Sequence, residues 1–188
     1  MDYIEFDVRQ TGDGELVVWH DERLPSGRRL SEVSLEWYKI EVGGLGCTVA
    51  EMVAMIDEAT GLHVDLKEVG CEVQLLDVLR HGRPAGNWVI TSTEPESIRF
   101  IKSVAPDVRC GLSLGRQLRG RRHALGIWVR LNELFPGRGL RDCPADFLAV
   151  HRHLARVAVL RYCRRHQLPA WVWTVDGARL MNGMMLSP

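Results

Sequence analysis

The chain opens on an alternating run. Ile4, Phe6 and Val8 interleave with Glu5 and Asp7, the period-two pattern of a strand whose two faces differ. One face therefore carries two carboxylates side by side. After Thr11-Gly12-Asp13-Gly14 comes Leu16-Val17-Val18-Trp19-His20-Asp21. Asp13-Gly14 predicts a two-residue type I′ turn, whose central positions both need φ > 0. In that register Gly12 faces Glu15 and Asp7 lies directly opposite His20, which gathers two acids and an imidazole.

The patterning then alternates between periods. Residues 22–46 are polar and broken by Pro25-Ser26-Gly27 and Gly43-Gly44, with Leu35, Trp37, Tyr38 and Ile40 seating a short covering element. Thr48 and Glu51 are spaced as a capping box. Val49, Met52, Val53, Ile56 and Ala59 follow at helical spacing, with Gly61 ending that helix. In the next strand Val64 and Leu66 share one face, and His63, Asp65 and Lys67 the other. A helix over 72–81 leads to a compact strand, Trp88 to Thr91. Thr93-Glu94-Pro95 starts a helix carrying Ile98, Ile101 and Val104, and a strand is expected over 108–114.

Residues 116–135 fit neither period, and Arg116, Arg119, Arg121 and Arg122 read there as a solvated face. A strand over 145–150 places His151 at its end. A helical run to His166, stopped by Leu168-Pro169, and a strand from Trp171 to Val175 complete the pattern. Strands alternating with helices six times imply a parallel sheet with right-handed crossovers. Polar residues at successive strand ends favour a barrel, where one mouth collects them, over an open doubly wound sheet.

Composition narrows the function. The 188 residues suit one domain but are short for a complete eight-fold barrel of about 250 residues. Lys and Arg together equal Asp and Glu at 24 each, so no net field draws the protein to nucleic acid. No apolar run approaches the roughly 18 residues of a membrane span. Cys47, Cys71, Cys110, Cys143 and Cys163 are scattered and never paired as Cys-x-x-Cys. They read as buried thiols of a reducing, cytoplasmic setting rather than a zinc site. The sequence begins almost inside a strand, so a targeting segment could lie upstream.

Glu5 and Asp7 are the strongest chemical candidates. Two carboxylates on one strand face repel unless a cation lies between them, and oxygen ligands suit Mg²⁺ or Ca²⁺. His20 brings an imidazole that can move a proton on an ester oxygen, with Asp21 beside it to orient the ring.

Glu5-x-Asp7, the Gly12-Asp13-Gly14 turn, Val17-Val18-x-His20-Asp21 and Trp171-Val172-Trp173-Thr174-Val175 together resemble the glycerophosphodiester phosphodiesterases over nearly the whole chain. The resemblance implies an α/β fold, a TIM-type (β/α)8 barrel that is incomplete, with about six of eight strands. Residues 1–188 would form a single phosphodiesterase-like domain truncated at both ends. It lacks the family's N-terminal His-Arg-Gly strand, and with it one of two catalytic histidines, and the C-terminal Thr-Asp strand. The resemblance makes Glu5, Asp7 and Asp65 ligands of Mg²⁺ or Ca²⁺ and His20 an acid–base group. It puts Lys67 on phosphate and Trp173 against the glycerol moiety. Asp65 departs from the family's Glu by one methylene. The implied reaction, in lipid and glycerol metabolism, is metal-dependent hydrolysis of a small-molecule glycerophosphodiester to an alcohol and glycerol 3-phosphate. The alternatives are a phospholipase-D-like hydrolase of lysolipid or sphingolipid head groups and a non-catalytic remnant or binding domain of the same fold.

Overall fold

A computed structural model of the chain describes residues 2–84, 86–114, 143–152 and 159–173. The chain divides into two compact units, residues 1–110 and 111–188.

In the first unit, β1 (Tyr3–Gln10) lies between β2 (Leu16–Val18), which runs antiparallel to it, and β3 (Gly61–Leu66), which runs parallel. β4 (Trp88–Ser92) extends the sheet, parallel to β3. Most apolar strand positions of the sequence pattern are buried, whereas Ile4, at 43%, is exposed. Phe6, Val8, Leu62, Val64, Leu66 and Ile90 share one face of the sheet and are buried, as are Leu75 and Leu79 of α3 (Glu72–Gly82) and Ile98 and Ile101 of α4 (Pro95–Val104). Central parallel strands are covered on both faces, which is why β4 is buried at all five positions.

The hairpin register differs from the expected one. Val8 pairs with Val18 and Gln10 with Leu16, so the Trp19 amide donates to the Asp7 carbonyl at 3.0 Å and Trp19, not His20, lies across from Asp7. The loop has three residues, Gly12-Asp13-Gly14, closed by Thr11 N donating to Glu15 O and Gly14 N to Thr11 O. Only Gly14 has positive φ, at 89°, the arrangement of a three-residue hairpin loop rather than a type I′ turn. Contacts from later in the chain select it: Gly12 N donates to Val33 O at 2.7 Å, and both Asp13 carboxylate oxygens accept from Leu35 N at 3.1 Å.

The covering element is α1 (Leu35–Glu41), capped by Ser34, whose hydroxyl accepts from Trp37 N. Tyr38 from α1 packs with Val17, Leu24, Leu30 and Val33 in a small core of its own, and its hydroxyl donates to Val18 O at 3.0 Å. The Thr48–Glu51 capping box opens α2 (Val49–Met55). This helix ends well before Gly61. Arg83 Nη2 donates to the carbonyls of Val53, at 2.9 Å, and Ile56, taking acceptors that a longer helix would use. The Asp57 side chain accepts from Ala59 N at 2.7 Å and turns the chain. Gly61 instead begins β3, where a Cβ would meet the Tyr3 ring at 2.6 Å.

In the second unit, β5 (Cys110–Leu114) pairs parallel with β6 (Phe147–His151), and β6 with β7 (Ala170–Trp173). α5 (Leu160–Arg165) precedes β7, and Gln167 turns the chain between them at φ 52°. Phe147, Leu148 and Val150 are fully buried. Each unit thus contributes three mutually parallel strands among the described residues. The stretch 116–135 with its arginine cluster, Thr174 and Val175 lie outside the described residues. The five cysteines form no disulfide, and all but Cys47 are buried.

Candidate metal and phosphate site

The parallel register of β1 and β3 makes Asp7 the partner of Asp65 and Glu5 the partner of His63. Partners on adjacent strands project to the same face, so the acids of both strands meet above one patch of sheet. One carboxylate oxygen from each of Glu5, Asp7 and Asp65 lies within 4.8 Å of the others. Lys67 follows β3 with the parity of Asp65, and its backbone amide is fixed by donation to Val8 O at 3.0 Å. Its Nζ lies 2.7 Å from Asp7 Oδ1 and also pairs with Asp65 Oδ2. Among the described residues it makes no ion pair with Glu5.

The electrostatics follow from this arrangement. Desolvation of the Glu5 carboxylate by the protein around it, with the Asp7 and Asp65 charges next, pushes its pKa up to about 7, against the opposing pull of Lys67 and His20. Burial disfavours the Lys67 ammonium, but the Asp65 charge and the hydrogen bonds to Asp65 and Asp7 outweigh it and hold the lysine above its ordinary value. His63 lies below its ordinary value, chiefly through burial.

His20 stands beside this cluster, near enough to lower the Glu5 pKa. Its side chain is 58% exposed, and Nδ1 lies 2.8 Å from Asp21 Oδ1. An ionised carboxylate only accepts, so Nδ1 carries the hydrogen and Nε2 is the atom open for proton exchange. The His20 carbonyl accepts from Arg9 Nε at 3.0 Å, while Arg9 Nη1 lies 2.7 Å from Glu68 Oε1. Arg9 therefore ties the histidine segment to the loop after β3. The sequence reading missed Arg9, although it continues the Glu5, Asp7 alternation.

Three carboxylates against one ammonium leave an excess of negative charge, most evident at Glu5. Hard oxygen donors packed this closely fit a divalent cation such as Mg²⁺ or Ca²⁺. Trp173, the other residue expected to contact substrate, belongs to the second unit. There it is half-buried, pairs in register with His151 and meets its ring edge to face at 4.9 Å between centroids.

Residues 1–81 match the model of the glycerophosphoryl diester phosphodiesterase family. The chain resembles that family. No curated protein matches it. Among solved structures, a phosphodiesterase from Oleispira antarctica in complex with the product sn-glycerol-3-phosphate is 17% identical, with TM-score 0.74, covering 98% of this chain and 77% of that one. A glycerophosphodiester phosphodiesterase from Thermotoga maritima is 18% identical, with TM-score 0.68, covering 96% and 76%. One from Parabacteroides distasonis is 18% identical, with TM-score 0.72, covering 96% and 74%. At these identities the likeness is one of fold. The fold class is the expected one, an α/β protein of the TIM-barrel type with fewer than the full set of strands described.

Proposed function

We propose that the chain hydrolyses glycerophosphodiesters to an alcohol and glycerol 3-phosphate, with Mg²⁺ or Ca²⁺ held by Glu5, Asp7 and Asp65. The observation that supports this reading is the convergence of those three carboxylates within 4.8 Å beside the Lys67 ammonium. When bound, the cation supplies Lewis-acid polarisation of a phosphoryl oxygen. Lys67 adds a compact charge at the same place, with a third N–H to offer a phosphate oxygen beyond those directed at Asp7 and Asp65. His20, its Nδ1–H fixed on Asp21, moves a proton at an ester oxygen through Nε2. In the net reaction the P–O bond to the alcohol breaks and the oxygen of water joins phosphorus. One water proton ends on the departing alkoxide. The reading takes residues 1–188 as one phosphodiesterase-like domain acting on a small molecule in lipid and glycerol metabolism.

The test is release of glycerol 3-phosphate from glycerophosphocholine by the purified chain with Mg²⁺ or Ca²⁺. Asp7→Ala should abolish both turnover and calorimetric metal binding. No release by folded protein, or release untouched by chelator, overturns the reading. Metal binding without turnover would instead support a binding domain of the same fold.

One observation favours a lipid substrate. α1, fastened to β2 through Tyr38, exposes Trp37 and Ile40, and Leu45 beyond it is 92% exposed. Such an exposed apolar surface suits a phospholipase-D-like action on lysolipid or sphingolipid head groups, and faster cleavage of lysophosphatidylcholine micelles than of glycerophosphocholine would establish it.

A further inference from the structure

Asp65 has both oxygens engaged, and the partner on its buried side is a hydroxyl that the reaction described above does not use. Thr91 is the register partner of Asp65 across β3 and β4 and is 1% exposed. Its Oγ1 lies 2.6 Å from Asp65 Oδ1 and 2.9 Å from His63 Nε2. A threonine hydroxyl has one hydrogen, and a carboxylate can only accept it. The Thr91 hydrogen therefore goes to Asp65, and the Thr91 oxygen accepts from Nε2–H of His63. The three side chains form a hydrogen-bond chain with one direction, His63 to Thr91 to Asp65.

This chain bears on the weak point of the site. An aspartate carries its carboxylate one methylene closer to the strand than a glutamate does. Its reach to a cation then depends on holding one rotamer. Lys67 alone does not supply this, because an ammonium on four rotatable carbons is also shared with Asp7. Thr91 has a single side-chain torsion, on a central strand, and a β-branched side chain is stiff there. Hydrogen-bond partners behind a ligating group orient it and raise metal affinity, by about 10–100-fold.

We propose that Thr91, directed by His63, is a positioning residue that fixes Asp65 for divalent-metal binding. This rests on the metal-site reading above, and the two fail in different ways. The experiment is calorimetric titration of the full chain with CaCl2 alone and with MgCl2 alone. Thr91→Val removes the hydroxyl at nearly constant volume and should weaken metal binding about tenfold. Thr91→Ser keeps the donor and should stay near wild type. In an Asp65→Ala background Thr91→Val should have no further effect, a result that loss of strand stability alone would not give. Unchanged affinity in Thr91→Val, or losses that add in the Asp65→Ala background, overturns the inference and leaves the site reading standing. A wild-type chain that binds neither ion removes both.

Discussion

Asp7 and Asp65 face each other as direct partners in the parallel register of β1 and β3, and the Lys67 ammonium bridges them. Side by side on adjacent strands, two like charges repel. Here the lysine screens the pair, and the third acid, Glu5, makes no ion pair among the described residues.

Lys67→Met should therefore expose the repulsion. The three side chains are 18%, 19% and 10% exposed, so solvent screens them poorly. Loss of the charged hydrogen bonds should destabilise the chain by about 2 kcal/mol. Urea unfolding with and without Mg²⁺ checks this, since the added ion should restore part of the loss. A variant as stable as wild type would show that the pair does not need the lysine.

Glu5 predicts a pH dependence for the metal-free protein. Its folded pKa of about 7 lies above the ordinary 4.5, so the folded chain holds a proton that the unfolded chain releases. The stability tied to that proton is fully present below about pH 4.5. It falls as pH rises toward 7 and is gone above it. Glu5→Gln should flatten this slope and leave the metal-free chain more stable than wild type above pH 7. Thermal unfolding across pH 5 to 8 with chelator present measures the slope, and parallel curves for the two proteins would contradict the assignment.

His20→Gln separates chemistry from assembly. The imidazole is exposed and its side-chain partner is the exposed Asp21, so folding and metal affinity should be unchanged. A positioned acid–base group contributes about 10²–10⁴-fold in rate, and kcat should fall by that order with KM little altered. Retention of more than a tenth of kcat would remove His20 from the proton path.

Gly111→Ala tests the second unit alone. A Cβ at Gly111 would overlap the ring of Phe147, its register partner on β6, which is fully buried. Overpacking of this kind destabilises by about 1–3 kcal/mol. Denaturant unfolding followed by Trp171 fluorescence, close to Phe147 at 4.6 Å between ring centroids, should show the midpoint fall. An unchanged midpoint would mean that the ring relocates freely.

The acids were legible in the sequence because alternation is a local property. Glu5 and Asp7 on one face, and Asp65 with Lys67 on another, need only the period of a strand. The hairpin register was not legible: alternation and the turn signal set His20 across from Asp7, and the structure sets Trp19 there. Gly12-Asp13-Gly14 can close by two residues or three, and the bonds that decide come from Val33 and Leu35, some twenty positions later. Thr91 was hidden for a related reason. In Trp88-Val89-Ile90-Thr91 it reads as one more β-branched strand former, and only the β3–β4 register sets its hydroxyl against Asp65. The early end of α2 was likewise decided by Arg83, a side chain from beyond the next helix.

The hairpin tip has a last consequence, for where the chain tolerates change. Loop tips are usually the places that accept insertions and protease cuts. This one is held on several sides. Asp13 takes the Thr11 hydroxyl and the Leu35 amide, and the Gly14 carbonyl accepts from the side chains of both Gln10 and Gln74. Residues inserted between Thr11 and Glu15 would release α1 and α3 from the hairpin together. By contrast, Gly43 and Gly44 stand in open space with positive φ, ahead of the exposed Leu45. Limited proteolysis should nick the chain there first, and a fusion tag or labelling peptide belongs at that point rather than at the tip.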